Sequence, residues 1–176
     1  MTAATNAQHS AESSDWYTPP EYIEAARQAL GGTIDLDPAT SPAAQVNVKA
    51  RSTCYANEDG LARVWAGAVF CNPPTPPRLW WEKLARAYVA GAVPRAVFIA
   101  YSLEQLSQSQ RWAELAGLPS MLDGLVCIPR RRIAYLRSVD GRLAKGSAPP
   151  HASAIVGLGI DRRTFAAAFG GFGRVL

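Results

Sequence analysis

Apolar residues along this chain change period several times, and the changes mark out alternating helices and strands. Tyr22, Ile23, Ala26 and Leu30 fall on one helical face, and Gly31-Gly32 predicts the stop. Thr18 followed by Glu21 has capping-box spacing, with prolines in the first turn, so the helix is predicted to begin there. Thr33 to Leu36 then reads as a short strand ended by Pro38, which leaves Asp37 at its tip. Asn47 to Ala56 is ambiguous between helix and strand, and Asn57-Glu58-Asp59-Gly60 is a turn signal. The run Ala68 to Cys71 predicts a buried strand halted by Asn72, Pro73 and Pro74.

The alternation continues to the end of the chain. Arg78 to Ala90 predicts a helix with Leu79, Trp80, Leu84, Ala87 and Tyr88 apolar, and Ala96 to Ala100 a buried strand. Ser102 and Gln105 suggest a second capping box, opening a helix to about Ala116, and Leu125 to Ile128 is strand-like. Ile133 to Leu136 and Ala154 to Leu158 predict a hairpin at a sheet edge, across a Gly/Ser/Pro-rich loop. Asp161 caps a short helix that ends at Gly170-Gly171. Strands alternating with helices predict an α/β fold, Rossmann-like, with a mostly parallel sheet and helices on both faces.

Length and composition narrow this picture. A chain of 176 residues suits one domain, and 48% apolar content with five Trp supports a real core. Residues 1–14 are polar, lack the apolar stretch of a signal peptide and read as a disordered leader, with the domain over residues 15–176. No apolar run is long enough for a bilayer, so no membrane partner is expected. Cys54, Cys71 and Cys127 are scattered, with no C-x-x-C pair, and fit a reducing cytoplasm. His9 and His151 offer no ligand spacing, so no metal is expected.

Charge is unevenly placed. Residues 1–75 carry four basic and eight acidic side chains, whereas residues 76–176 carry fourteen basic and six acidic. The acidic half suits a cationic small molecule and the basic half suits phosphates, although uneven charge also occurs on ordinary solvated surfaces. Arg130, Arg131, Arg132, Arg137, Arg142 and Lys145 cluster near Tyr135, a pattern that holds nucleic acid or guards an edge strand.

Three places carry candidate chemistry. Asn72-Pro73-Pro74 presents one amide and bare carbonyls just past a strand end, where ligands of open α/β sheets bind. Two acceptors there, the Asn72 oxygen and the Pro73 carbonyl, can draw the lone pair of an aromatic amine out of conjugation; the plain alternative is a proline-rich turn. Asp37 can bind an ammonium or simply initiate a turn. The helix start at Thr18 and Pro19 offers N–H groups to a carboxylate, or is no more than a helix start. The chain lacks G-x-G-x-x-G in its first strand–turn segment, which disfavours a dinucleotide.

Taken in order, WYTPPEYI, GGTIDLDPAT, EDGL before a Trp, VFCNPP, CIPRRRIAYL and APPHASAIVGLG resemble the phage-type Dam-like DNA N6-adenine methyltransferase family, from about Asp15 to the C-terminus. The resemblance implies a class I S-adenosylmethionine-dependent fold of seven strands with an antiparallel last strand, acting on DNA in a bacterial cytoplasm. It implies that Tyr17, Thr18 and Pro19 line the methionine end of the cofactor, that Asp35, Asp37 and Pro38 bind its amino group, and that Asp59 meets its adenine or ribose. Asn72, Pro73, Pro74 and Thr75 fall on the catalytic motif.

The family's motif ends in an aromatic residue where this chain has Thr75. Base–aromatic stacking contributes about 1–3 kcal/mol, and extruding a paired base costs a similar amount. Trp80 or Trp81 can supply the missing ring, or both can be core. The alternatives to a DNA methyltransferase are a non-catalytic nucleic-acid binder, or a methyltransferase for an RNA base or a protein glutamine. With no room for a separate recognition domain, the expectation is either low sequence specificity or specificity carried by the loop from Arg137 to His151.

Overall fold

The computed structural model describes residues 16–139, 142–146 and 150–176. The expected leader and Asp15 lie outside the described residues, as does part of the Arg137–His151 loop. The elements are α1 Pro20–Ala29, β1 Leu36–Thr40, α2 Pro42–Val48, β2 Ser52–Tyr55, β3 Ala68–Cys71, α3 Pro77–Val89, β4 Arg95–Ala100 and α4 Leu103–Ala116. After a 3₁₀ turn at Met121–Asp123 come β5 Leu125–Pro129, β6 Leu136–Val139, β7 Arg142–Lys145, β8 Ala154–Leu158, α5 Arg162–Phe169 and β9 Gly173–Val175.

The main sheet has seven strands in the order β2-β1-β3-β4-β8-β5-β9. Strands β2, β1, β3 and β4 pair in parallel; β8 lies antiparallel between β4 and β5, and β9 is antiparallel to β5. The fold is therefore α/β with a mostly parallel mixed sheet. The chain leaves β1 toward β2 on one side and leaves β3 toward β4 on the other. The crevice between the carboxyl ends of β1 and β3 is the position where such sheets hold ligands.

Alternation along the central strands builds two cores. Ala68, Phe70, Val97 and Ile99 face Ile23, Ala26, Phe165 and Phe169 of α1 and α5. Val69, Cys71, Phe98 and Ala100 face Trp81, Leu84 and Leu106 of α3 and α4. Every residue of β3 and β8 is buried, which is why these runs are unbroken by polar positions.

Several expectations are corrected. The first strand begins at Leu36, not Thr33, and passes through Pro38. A register shift between Asp37 and Thr40 accommodates the proline, which cannot donate to a regular ladder. Neither Thr18 nor Ser102 makes a side-chain cap: Pro19 is the residue before α1, and α4 starts without one. Ser41 caps α2 instead, and Asp161 caps α5 as expected. The predicted hairpin does not form. Leu136–Val139 pairs with Arg142–Lys145 in a separate two-stranded ribbon, while Ala154–Leu158 is an interior strand.

Trp81 is also corrected, from candidate base platform to core. It is 1% exposed, packs edge-on against Phe98 at 5.2 Å, and donates its indole N–H to the Pro119 carbonyl at 3.0 Å. Trp81→Ala is expected to cost about 3–5 kcal/mol in a denaturant titration. A loss below about 1 kcal/mol would contradict this placement.

Candidate functional site

A cleft of about 990 Å³ opens at the carboxyl ends of β1 and β3. That is the upper end of the roughly 300–1,000 Å³ usual for small-molecule sites, so there is room for more than one small ligand. Three segments far apart in sequence meet there: Trp16–Thr18, Asp37–Ser41 and Asn72–Thr75. The turn Asn57–Gly60 forms the far wall, with Trp80 behind it. Gly60 packs so closely on the Pro38 carbonyl and the Trp80 ring that a Cβ would collide with both. This approach holds the acidic turn against the end of β1.

Asp37 is 2% exposed. Its oxygens accept from Gln45 Nε2 at 2.9 Å and from the Ala39 amide at 3.3 Å, and no ion pair to it exists among the described residues. Burial pushes its carboxyl up to about 6, against the downward pull of hydrogen bonds from Thr40, Ala39 and Gln45. A buried carboxylate without a cation is costly, and such groups concentrate at functional sites. Thr18 supplies a second incomplete group: its Oγ1 is buried, lines the cleft and has no hydrogen-bond partner.

Asp35, two residues before Asp37, is used elsewhere. It accepts from the Ala68 amide at 2.8 Å and pairs with Arg51 at 3.2 Å, and it does not line the cleft. Tyr17 and Pro38 do line it, whereas Pro19 does not and instead starts α1. Asp59 borders the cleft and uses one oxygen to cap its own turn, accepting from Leu61 and Ala62 amides at 3.0 and 3.2 Å. Asp37, Glu58 and Asp59 all border the cleft, and among the described residues no lysine or arginine lines it. Glu58 is already paired with Arg63 at 2.8 Å, which leaves Asp37 and Asp59 as the cleft carboxylates with no ion pair among the described residues. Such a wall favours a cation and opposes a phosphate.

Asn72 is pinned. Its Nδ2 donates to the Trp16 carbonyl at 2.8 Å. A carbonyl only accepts, so the amide nitrogen must face Trp16 and Oδ1 is left as an acceptor. Trp16 in turn is held through its neighbour: Tyr17 and Leu136 exchange backbone hydrogen bonds of 2.9 and 2.8 Å, tying the strap to β6. Pro73, Pro74 and Thr75 continue along the cleft, with Thr75 exposed.

The rings around this end were not singled out as a stacking surface by the sequence. Trp16, Tyr101 and Tyr135 all line the cleft near the Asn72 strap or follow the neighbouring strand. Tyr135 donates to Ser153 Oγ at 3.0 Å, and burial pushes its hydroxyl up to about 12. No spacing rule identifies Trp16; its only signal was its position immediately before Tyr17. Trp80, not Trp81, faces the cleft, but it lies on the acidic side and tilts against Trp65 at 6.0 Å.

Arg130, Arg131 and Arg132 follow β5, which runs in the same direction as β3, so they emerge at the same carboxyl end of the strands as Asn72, three strands across the sheet. All three are exposed, form no ion pair among the described residues and stay outside the cleft. Arg137 is half-buried with its guanidinium 4.5 Å from the Trp16 ring centre. Among the described residues no cluster of metal-binding side chains occurs, and no helix is long and apolar enough to cross a membrane. The chain matches no family model, no curated protein and no solved structure.

Proposed function

We propose that this protein is a class I, S-adenosylmethionine-dependent methyltransferase that modifies the N6 amine of adenine in DNA. The observation that carries the reading is Asn72, fixed by Trp16 with its oxygen left over, at the same cleft as a buried Asp37 that has no ion pair among the described residues. The interior antiparallel strand β8 and the acidic cleft wall support it. S-adenosylmethionine supplies an electrophilic methyl group on a positively charged sulfur when bound. Asp37 would hold its ammonium, Thr18 Oγ1 would donate to its carboxylate, and Asp59 would lie toward its ribose or adenine.

The substrate amine donates its two hydrogens to Asn72 Oδ1 and the Pro73 carbonyl. Both contacts strengthen as the nitrogen gains positive charge, so the acceptors stabilise the transition state more than the ground state. No base is required beforehand, because the proton is lost after the methyl group has arrived. Arg130, Arg131 and Arg132 would contact backbone phosphates outside the acidic cleft.

The test is methyl transfer from labelled S-adenosylmethionine to single-stranded DNA, duplex DNA, RNA and protein in parallel. N6-methyladenine in DNA is the expected product, with more on single strands than on matched duplex because Thr75 offers no ring to hold an extruded base. Label in RNA or in glutamine would reassign the substrate. Intact cofactor binding without product in any arm would make the chain a non-catalytic binder.

A further inference from the structure

A base offered to Asn72 needs a flat apolar surface beside it, and Thr75 does not provide one. Trp81 is sealed in the core, and Trp80 sits against Trp65 on the acidic side of the cleft. Trp16 remains. Its carbonyl grips the Asn72 amide at 2.8 Å, so its position is tied to the reacting end of the cleft, and the residue lines that cleft while staying half-buried. Tyr135 meets the indole at 6.0 Å with the planes 75° apart, an edge contact that braces the ring.

Arg137 adds a charge to this ring. Its guanidinium carbon lies 4.5 Å from the Trp16 ring centre, within the range of a cation–π contact. Its Nε is buried with no hydrogen-bond partner, and it forms no ion pair among the described residues. Among the described residues, the Trp16 ring is the contact that holds this cation in place. Arg137 stands outside the cleft whose wall Trp16 forms. One side chain is thus suited to a base and the adjoining one to a phosphate.

We infer that Trp16 and Arg137 form a nucleotide clamp, in which the indole stacks on the base presented to Asn72 and the guanidinium binds a phosphate of the same strand. This deepens the proposed function and rests on it for the identity of the base. The backbone of Trp16 is tied to Asn72 and both residues line the same cleft, so a base stacked on the cleft side of the indole, away from Arg137, would share that cleft with Asn72 Oδ1. The clamp requires only an unpaired base, so single strands are its natural ligand.

The experiment compares octadeoxyadenylate with an abasic octamer of equal length by fluorescence anisotropy, without cofactor. The phosphates are the same in both, so the ratio of the two affinities reports stacking. Wild type should prefer the adenylate by about tenfold or more, the order expected for one stacked base. Trp16→Leu, which keeps apolar bulk, should bring the two affinities together while the thermal midpoint stays within a few degrees. Trp16→Phe should retain most of the preference and guards against a folding artefact. Arg137→Gln should weaken both octamers alike and lower the salt slope by about 0.7.

An unchanged preference in Trp16→Leu, or its loss in Tyr101→Ala instead, overturns the platform. An unchanged abasic affinity and salt slope in Arg137→Gln overturns the phosphate half. Because no transfer is scored, failure of the enzyme is read separately. A chain that stacks adenine through Trp16 yet ignores S-adenosylmethionine keeps the clamp and loses the methyltransferase. The reverse result loses only the clamp.

Discussion

Asn72→Ala is expected to lower methyl transfer on every DNA substrate by a factor on the order of 10²–10³ or more. That is the usual loss when one preorganised polar group aimed at developing charge is removed. Cofactor affinity should stay within about twofold, since the proposed contact of Asn72 is with the substrate amine. Asn72→Asp separates the two jobs of the side chain. It keeps an acceptor but replaces the amide nitrogen that faces the Trp16 carbonyl with an oxygen. Two acceptors then face each other, so the Trp16 strap should shift and transfer should fall despite the retained carboxylate. Single-turnover measurement of N6-methyladenine by mass spectrometry, with calorimetry for the cofactor, checks both variants. Asn72→Ala with transfer within tenfold of wild type would remove the residue from the chemistry.

A second large effect belongs to Asp37. Its folded carboxyl titrates near 6, above its ordinary value of 3.8. A cation prefers the ionised form, so S-adenosylmethionine should bind well above pH 6 and weaken about tenfold for each unit below it. Asp37→Asn should abolish this dependence and weaken binding by roughly 2–5 kcal/mol, the cost of removing one member of a buried charged pair. The free protein should show the opposite trend. A raised folded pKa means that Asp37 contributes stability in full below about pH 4. That contribution, roughly 3 kcal/mol at most, is lost as pH rises through 6. Saturating cofactor should offset the loss. Calorimetric titrations from pH 5 to 8 on wild type and Asp37→Asn decide the matter: parallel pH profiles would show that Asp37 meets no cation.

Much of the scaffold was legible because buried strands here are short unbroken apolar runs. Ala68–Cys71 and Ala154–Leu158 could hardly be anything else, and Pro77–Val89 and Leu103–Ala116 carry clear helical stripes. The partner of Ala154–Leu158 was not legible. Its sequence fixes that it is buried but not which strands flank it, since pairing depends on contacts distant in the chain. Trp80 and Trp81 show a second limit. Adjacent helical positions differ by about 100° in direction, and both are apolar, so only packing reveals which one faces the cleft. Asp35 and Asp37 show a third. Strand periodicity predicts that two residues so spaced share a face, but the strand starts at Leu36, so Asp35 precedes it and meets an arginine while Asp37 reaches the crevice. Thr18 looked like a cap, and its missing partner became visible only once the hydroxyl was seen buried at the cleft.

The acidic wall of Asp37 and Asp59 bears on turnover as well as binding. Methyl transfer from a sulfonium turns a positively charged sulfur into a neutral thioether. Inside a cleft that no described lysine or arginine lines, the spent molecule would therefore feel less attraction than the one that entered. The same two carboxylates that draw the donor in would loosen their hold at the moment of reaction, so exchange of spent for fresh donor would be helped by charge alone. Added salt should narrow the gap between the two affinities, because it screens the donor's extra charge more than it affects the product.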